Sequence, residues 1–280
     1  MGVPYAEVIG DPIDHSKSPL IHKFWLGKLG MEGDYRATRV RPDELPDYLK
    51  VRRRDPNWRG SSVTMPLKER VLTLLDEVDD NGIGAVNCVL PLRGRLVGRN
   101  TDMVGIRKPF EWLDTSRPVC LIGNGGAARA VIEGLGFLSV LQFNFLVRDV
   151  DKGARLVERA PMGGLVFGFD KAEEAIAGSN GVINATPMGM TGCDRMPASI
   201  LAGLKGLLGP RLPLRDPAFV FDLVYTPLET PLLAAARTLG VSAIDGLTML
   251  IGQAEAAFEA FFGAAPPVAE EAALTELLTR

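Results

Sequence analysis

Val119-Cys120-Leu121-Ile122-Gly123-Asn124-Gly125-Gly126-Ala127-Ala128 is the stretch on which the reading of the fold turns. The apolar run Val119 to Ile122 reads as a buried strand, and Gly123 to Ala128 fits GxGxxA at the head of an apolar-periodic helix. In such a turn Gly123 permits the tight bend, Gly125 lets the backbone approach a pyrophosphate, and Ala128 allows close packing of helix on strand. Backbone N–H groups at the helix start, from Asn124 through Gly126 and Ala127, suit an anionic bridge. A glycine turn without a ligand is the other reading, and the strand and helix on either side favour the dinucleotide.

Working outward, the alternation continues on both sides. Downstream come a strand from Leu141 to Val147, a helix from Asp151, a strand Leu165 to Phe167, a helix Lys171 to Ala177 and a strand Val182 to Ala185. Pro187 to Pro217 reads as loops with a short helix around Ser199 to Leu204, followed by strand Phe219 to Val224, helix Leu228 to Leu239 and strand Val241 to Ile244. Upstream, strand Tyr5 to Ile9 precedes a helix with Ser18 as N-cap, Pro19 at its first position and Gly30 beyond its end. Arg36 to Val40 and Gly60 to Thr64 read as strands and Pro42 to Arg53 as a helix. A further helix is expected from Pro66, with Leu67, Val71, Leu74, Leu75 and Val78 on one stripe. Ala85 to Leu90 and Arg95 to Val97 flank the turn Pro91 to Gly94 as an edge hairpin, and Asn100-Thr101-Asp102 opens the next helix. Leu247 to Phe262 and Glu270 to Leu278 are the last helical patterns. The class is α/β in two domains, an N-terminal one with a mainly parallel sheet and a Rossmann-like one after it.

Composition narrows the function. The chain has 280 residues, 46% hydrophobic and 23% charged, with a net charge of -3, the proportions of a soluble globular protein. That balance argues against a nucleic-acid partner. Cys88, Cys120 and Cys193, with only His15 and His22 as histidines, support neither a disulfide framework nor a zinc site, so no metal is expected. The N-terminus lacks a basic region followed by a long apolar run, and Glu133, Gly134, Gly136 and Gln142 interrupt the most apolar later stretch, so no membrane segment and a cytoplasmic location are expected. With 31 glycines and 20 prolines, many short turns are expected.

Three places carry candidate chemistry. Thr64-Met65-Pro66-Leu67-Lys68 puts a lysine in a first helical turn, where the macrodipole disfavours a cation and lowers the pKa toward proton transfer. Asp102 stands at another helix start, placed to hold an ammonium. Locally, both have plain alternatives, an exposed helix lysine and a cap, as do Ser16 and Ser18 as caps and His15 in a loop. At the second strand of the dinucleotide unit, Asp149 could accept from a ribose 2′-hydroxyl, whereas Arg148 and Lys152 could pair with a 2′-phosphate. A solvated helix start with Asp149 as N-cap is the third possibility.

Seven segments, in order and over nearly the whole chain, resemble the shikimate dehydrogenase family. They are Gly10 to Pro19, Ser62 to Lys68, Gly84 to Asn87, Gly98 to Asp102, Asn184 to Met190, Asp222 to Tyr225 and Gly246 to Gln253. The resemblance implies reversible hydride transfer between a nicotinamide and the ring carbonyl of 3-dehydroshikimate, with Lys68 as acid/base and Asp102 as its partner and a ligand of substrate hydroxyls. It implies Ser16 and Ser18 on the substrate carboxylate, Tyr225 near that end, and Thr64, Asn87 and Gln253 on ring hydroxyls. Gly123 to Ala127, Arg148, Asp149, Lys152, Thr186, Met188 and Gly246 are then the cofactor residues, with Gly189 in a loop facing it. NADP(H) is favoured over NAD(H) from Arg148, Lys152 and the family. The return of Gln253 implies that the C-terminal helices pack back on the first domain, giving residues 1–102 plus 247–280 as the substrate and catalytic domain and 103–246 as the dinucleotide domain, with acid–base pair and hydride donor meeting in one cleft. A monomer or homodimer is expected. Ser62 stands where the family has asparagine, Met103 where it has glycine, Lys23 where asparagine is common, and Val147-Arg148-Asp149 where NADP-using members have Asn-Arg-Thr. A relative preferring quinate or a related cyclohexene acid, and a non-catalytic dinucleotide-responsive binding protein, are the alternatives.

Overall fold

The structure, a computed structural model, describes residues 2–110, 117–140, 142–209 and 218–280. It divides into two compact units, Met1–Asp102 with Ile251–Arg280, and Met103–Leu250.

The first unit is built on β1 (Tyr5–Gly10), α1 (Ser18–Lys28), β2 (Asp34–Arg39), α2 (Leu45–Arg52), β3 (Trp58–Val63), β4 (Glu77–Asp79), β5 (Cys88–Leu92) and β6 (Arg95–Arg99). The strand order is β2-β1-β3-β5-β6-β4. Pairs β1–β2, β1–β3 and β4–β6 run parallel, and β3–β5 and the hairpin β5–β6 antiparallel. Every residue of β1 is buried, as expected of a strand covered on both faces. One face packs on Leu45, Leu49, Leu67 and Val71, the other on Ile13, Tyr35, Ala257 and Phe261. Glu7 lies within that buried strand, its carboxylate held by Arg52 Nε at 2.5 Å and by the Thr38 hydroxyl.

Two local expectations are corrected here. Lys17, not Ser18, occupies the N-cap position of α1; Ser18 is the first helical residue, and its N–H donates to Ser16 Oγ at 3.3 Å. The helix expected from Pro66 is instead a turn followed by a short 3-10 helix, Arg70–Leu74. Leu67 and Val71 still face the core, but the chain turns extended at Leu75 and β4 joins the sheet through β6. Asp76 fastens that exit: its N–H donates to Leu96 O at 3.0 Å and its carboxylate accepts from Leu96 N at 2.7 Å. A sheet ladder therefore satisfies the backbone groups that another helical turn would have used, and Val78 is exposed.

From Asp102 onward run α3 (Asp102–Arg107), β7 (Val119–Ile122), α4 (Gly126–Gly136), β8 (Phe143–Val147), α5 (Val150–Val157), β9 (Gly164–Gly168), α6 (Ala172–Ile176), β10 (Gly181–Asn184), α7 (Ala198–Gly203), β11 (Phe219–Asp222), α8 (Pro231–Thr238) and β12 (Ser242–Ile244). Their order, β12-β11-β10-β7-β8-β9, is all parallel. Counted from β7, this is the doubly wound order 3-2-1-4-5-6, with the topological switch between β7 and β10. The apolar stripe of α4, Ala128, Val131, Ile132 and Leu135, is fully covered, as its sequence period requires. Leu141, placed in the second strand by sequence, and 210–217 of the expected loop region lie outside the described residues.

The chain ends with α9 (Gly246–Phe262) and α10 (Glu271–Thr279). The division between units falls within α9, and its second half packs on the first sheet through Ala257 and Phe261. Lys28 pairs with Glu270 at 2.7 Å and the Lys17 ammonium donates to Leu278 O, tying α10 to α1. Among the described residues no helix is long and apolar enough to cross a membrane, and no group of His, Cys, Asp and Glu forms a metal-ligating set.

Candidate active site

In the first unit the loops after β1, β3 and β6 carry the candidate residues. The loop after β3 is clamped at both ends: Leu67 N donates to Thr64 O at 2.9 Å, and Val86 N to Lys68 O at 2.9 Å. Lys68 therefore projects from a fixed turn, and its Nζ lies 2.6 Å from Asp102 Oδ2. Because the turn does not continue as an α-helix, the macrodipole argument for Lys68 does not apply; the carboxylate is its electrostatic partner.

Asp102 is 4% exposed at its side chain, so each carboxylate oxygen needs a donor. Lys68 supplies one, and Asn87 Nδ2 donates to the other at 2.7 Å. Asn87 also donates to Thr101 Oγ1 at 3.0 Å and accepts from Thr101 N at 2.7 Å. Asn100 completes the brace, accepting from Asp102 N at 3.0 Å and donating to Ala85 O at 2.7 Å. The Lys68 side chain is 24% exposed, which leaves the ammonium accessible from one side while Asp102 is sealed below it.

The loop after β1 joins this arrangement through Asp11 N, which donates to Met65 O at 3.2 Å. Ser16 is half-buried in it and Ser18 buried at its end. Gln253, 9% exposed, comes from α9. Rings of His22 and Phe258 lie 5.8 Å apart, and Leu26 and Phe262 both flank Gly33, so α1 and α9 run in the same direction. Ser18 lies one turn before His22 in α1, and Gln253 just over one turn before Phe258 in α9. Thr64, Lys68, Asn87 and Asp102 thus lie at the ends of β3, β5 and β6, Ser16 and Ser18 at the start of α1, and Gln253 about two turns into α9.

Tyr225 belongs to the second unit, just after β11, where burial pushes its phenol up. The glycine turn lies at the switch between β7 and β10. Gly123 has φ +111°, and a Cβ there would stand 2.7 Å from Thr186 Cγ2. Among the described residues nothing lies within 4 Å of a Cβ on Gly125, and no side chain caps the start of α4. The exposed turn and uncapped N–H groups therefore fit a pyrophosphate. Thr186 is oriented by Asn184, donating to its Oδ1 at 2.7 Å, and accepts from Met188 N at 3.1 Å. Asn184 donates to Asp222 Oδ1 at 2.8 Å, and Asp222 also accepts from Thr230 Oγ1 at 2.6 Å; burial pushes the Asp222 carboxyl up. Gly246 is pressed against the chain after β11, with Val224 O 2.6 Å from a Cβ position.

After β8, Asp149 caps α5: its Oδ1 accepts from Lys152 N at 3.1 Å and its Oδ2 meets Lys152 Nζ at 3.0 Å. The hydrogen bond from Lys152 holds its carboxyl below the usual range. Arg148 Nη2 lies 2.9 Å from Asp194 Oδ2. Asp194 has no signal in the sequence, being 46 positions from Arg148; the bracing roles of Asn100 and Asp222 were equally invisible. Of the departures from the family pattern, Ser62 accepts from Tyr35 Oη at 2.7 Å, Lys23 pairs with Asp34 at 3.1 Å, and Met103 is buried.

Residues 8–89 match the shikimate dehydrogenase substrate-binding domain and residues 246–270 the shikimate 5′-dehydrogenase C-terminal domain. A shikimate dehydrogenase (NADP(+)) of Sphingopyxis alaskensis is 44% identical, over 98% of this chain and 97% of that protein. The crystal structure of shikimate 5-dehydrogenase from Thermus thermophilus in complex with NADP(H) and shikimate is 32% identical, with a TM-score of 0.78 over 98% of this chain and 99% of that one. That of the Listeria monocytogenes enzyme in complex with shikimate and NAD is 28% identical, with a TM-score of 0.83 over 99% and 96%. These relatives, with a doubly wound sheet in one unit and a lysine–carboxylate pair in the other, place the chain among NAD(P)-dependent oxidoreductases acting on a CH–OH group. The chain belongs to the shikimate dehydrogenase family.

Proposed function

We propose that this chain catalyses the reversible reduction of 3-dehydroshikimate to shikimate with NADP(H). The observation that carries the chemistry is the Lys68 Nζ to Asp102 Oδ2 contact of 2.6 Å, with the lysine side chain 24% exposed and the aspartate 4%. A bound nicotinamide cofactor supplies the hydride to the ring carbonyl. Lys68 donates a proton from Nζ to the oxygen as it gains charge, and takes one from the hydroxyl in the reverse direction. An ammonium has three donors and Asp102 uses one, so Nζ can meet the substrate oxygen without leaving its partner. Asn87 spends both amide hydrogens on Thr101 and Asp102, keeps Asp102 in place, and meets a ring hydroxyl as an acceptor through Oδ1, while Thr64 and Gln253 offer neutral donors and acceptors. Ser16 and Ser18 receive the carboxylate, and Tyr225 belongs near that end.

Residues 1–102 and 247–280 act as the substrate and catalytic domain, and 103–246 as the dinucleotide domain. Gly123 to Ala127 hold the pyrophosphate, Thr186, Met188 and Gly246 line the cofactor's other end, and Arg148 and Lys152 take the 2′-phosphate. The preference for NADP(H) is supported by the NADP(+) enzymes among the relatives and by Asp149, whose carboxylate is committed to capping α5. Purified protein assayed with shikimate and quinate, each with NADP+ and NAD+, tests this reading. The highest kcat/KM falls on shikimate with NADP+; no shikimate-dependent reduction of either cofactor refutes it.

A further inference from the structure

Arg148 stands at the end of β8, the place where a doubly wound unit meets the adenosine ribose. Its guanidinium is already engaged, with Nη2 2.9 Å from Asp194 Oδ2. The loop that presents Asp194 is internally fastened. Gly189 N donates to Asp194 O at 2.9 Å, Cys193 N to Met190 O at 3.0 Å and Thr191 N to Thr226 O at 3.0 Å. At its base, Met188 N donates to Thr186 Oγ1 at 3.1 Å and Asn184 Nδ2 to Met188 O at 3.2 Å. Lys152, the second cation here, is matched in the same way by Asp149 at 3.0 Å. Each of the two cations is therefore matched by a carboxylate.

We infer that Asp194 sets cofactor selectivity by competing with the 2′-phosphate for Arg148, a step that rests on the assignment of Arg148 to the cofactor. A 2′-phosphate carries more than one negative charge and seeks the same guanidinium donors that Asp194 uses. NADP(H) must displace or face that carboxylate; NAD(H), with a 2′-hydroxyl, does not. The consequence is graded, because both partners are mostly exposed, 72% and 73% at their side chains, and such a pair is weak and salt-screened. Asp194 thus narrows the preference for NADP(H) without abolishing it. The neighbouring Asp149 pairs with Lys152, whereas Asp194 is the carboxylate that meets the Arg148 guanidinium.

The test is the dissociation constant of the full-length protein for NADP+ and NAD+ in Asp194→Asn, Arg148→Met and the double variant, at low and high salt. Asp194→Asn tightens NADP+ by about 1.5- to 5-fold at low salt, with less gain at high salt, and moves NAD+ by a smaller factor. In the Arg148→Met background the same change tightens NADP+ by a clearly smaller factor, because the competition for the guanidinium is gone. If Arg148→Met weakens NADP+ while Asp194→Asn leaves the NADP+ to NAD+ ratio unchanged, the role of Asp194 is refuted and that of Arg148 stands. If Arg148→Met leaves NADP+ binding unchanged, the cofactor assignment of Arg148 falls and this inference with it.

Discussion

His22 makes the protein's stability depend on pH in a way that can be calculated. Its ring is fully buried, stacked on Tyr35 at 3.8 Å, with Trp25 at 5.7 Å and Phe258 at 5.8 Å. Among the described residues neither ring nitrogen has a hydrogen-bond partner, and burial drives the pKa down to about 3. In the unfolded chain it returns to about 6.5. The folded protein thus binds fewer protons than the unfolded one, so stability is complete above the unfolded value and falls as pH drops toward the folded value. Two pKa units below the unfolded value, at about pH 4.5, the loss amounts to roughly 2.7 kcal/mol, a large share of the total for a marginally stable domain. His22→Phe keeps an aromatic ring but cannot titrate. Any packing change it introduces is independent of pH and cancels when each protein is compared with itself. Urea unfolding of both proteins at about pH 7.5 and about pH 4.5 therefore isolates the histidine: the wild type loses about 2 to 3 kcal/mol more than the variant between the two conditions. Parallel losses would show that His22 is protonated in the folded protein or meets a partner there.

Lys68→Met should lower kcat by about 10²- to 10⁴-fold with a much smaller change in shikimate affinity; a near-normal kcat contradicts the acid/base role. Gly125→Ala should leave Tm unchanged and weaken both cofactors, because the new methyl enters open space. Gly123→Ala should lower Tm instead, since it strains a positive φ and drives a methyl into Thr186. Thermal melts and cofactor titrations read both, and equal effects at the two glycines would refute the distinction. Asn87→Ala strips Asp102 Oδ1 and Thr101 N of their partners. It should cost about 1 to 3 kcal/mol in urea unfolding and lower kcat as well; a stable, fully active variant would remove Asn87 from the brace.

Much of this protein is local, and what is local is legible. The Val119 to Ala128 stretch carries its strand, turn and helix within ten positions, and the α/β alternation arises from hydrophobic period and glycine placement. Local signals also named Lys68, Asp102, Arg148 and Asp149 as chemically notable, and offered the capping role that Asp149 plays. Local period misled where a sheet competed for the same backbone: the stripe from Leu67 to Val78 is helical in spacing, yet β6 recruits Glu77 to Asp79 as a strand. Whether the notable residues act together was decided only by tertiary structure. Lys68 and Asp102 are 34 positions apart and meet because the strands fix the register of the loops that carry them. Asn87, Asn100 and Thr101 acquire meaning only around that pair. The packing of α9 on α1, which brings Gln253 into the first unit, and the pairing of Arg148 with Asp194 depend on long-range packing that no short window encodes. Short-range conformational preference writes the elements into the sequence; which side chains share a charge is set by how those elements pair and pack.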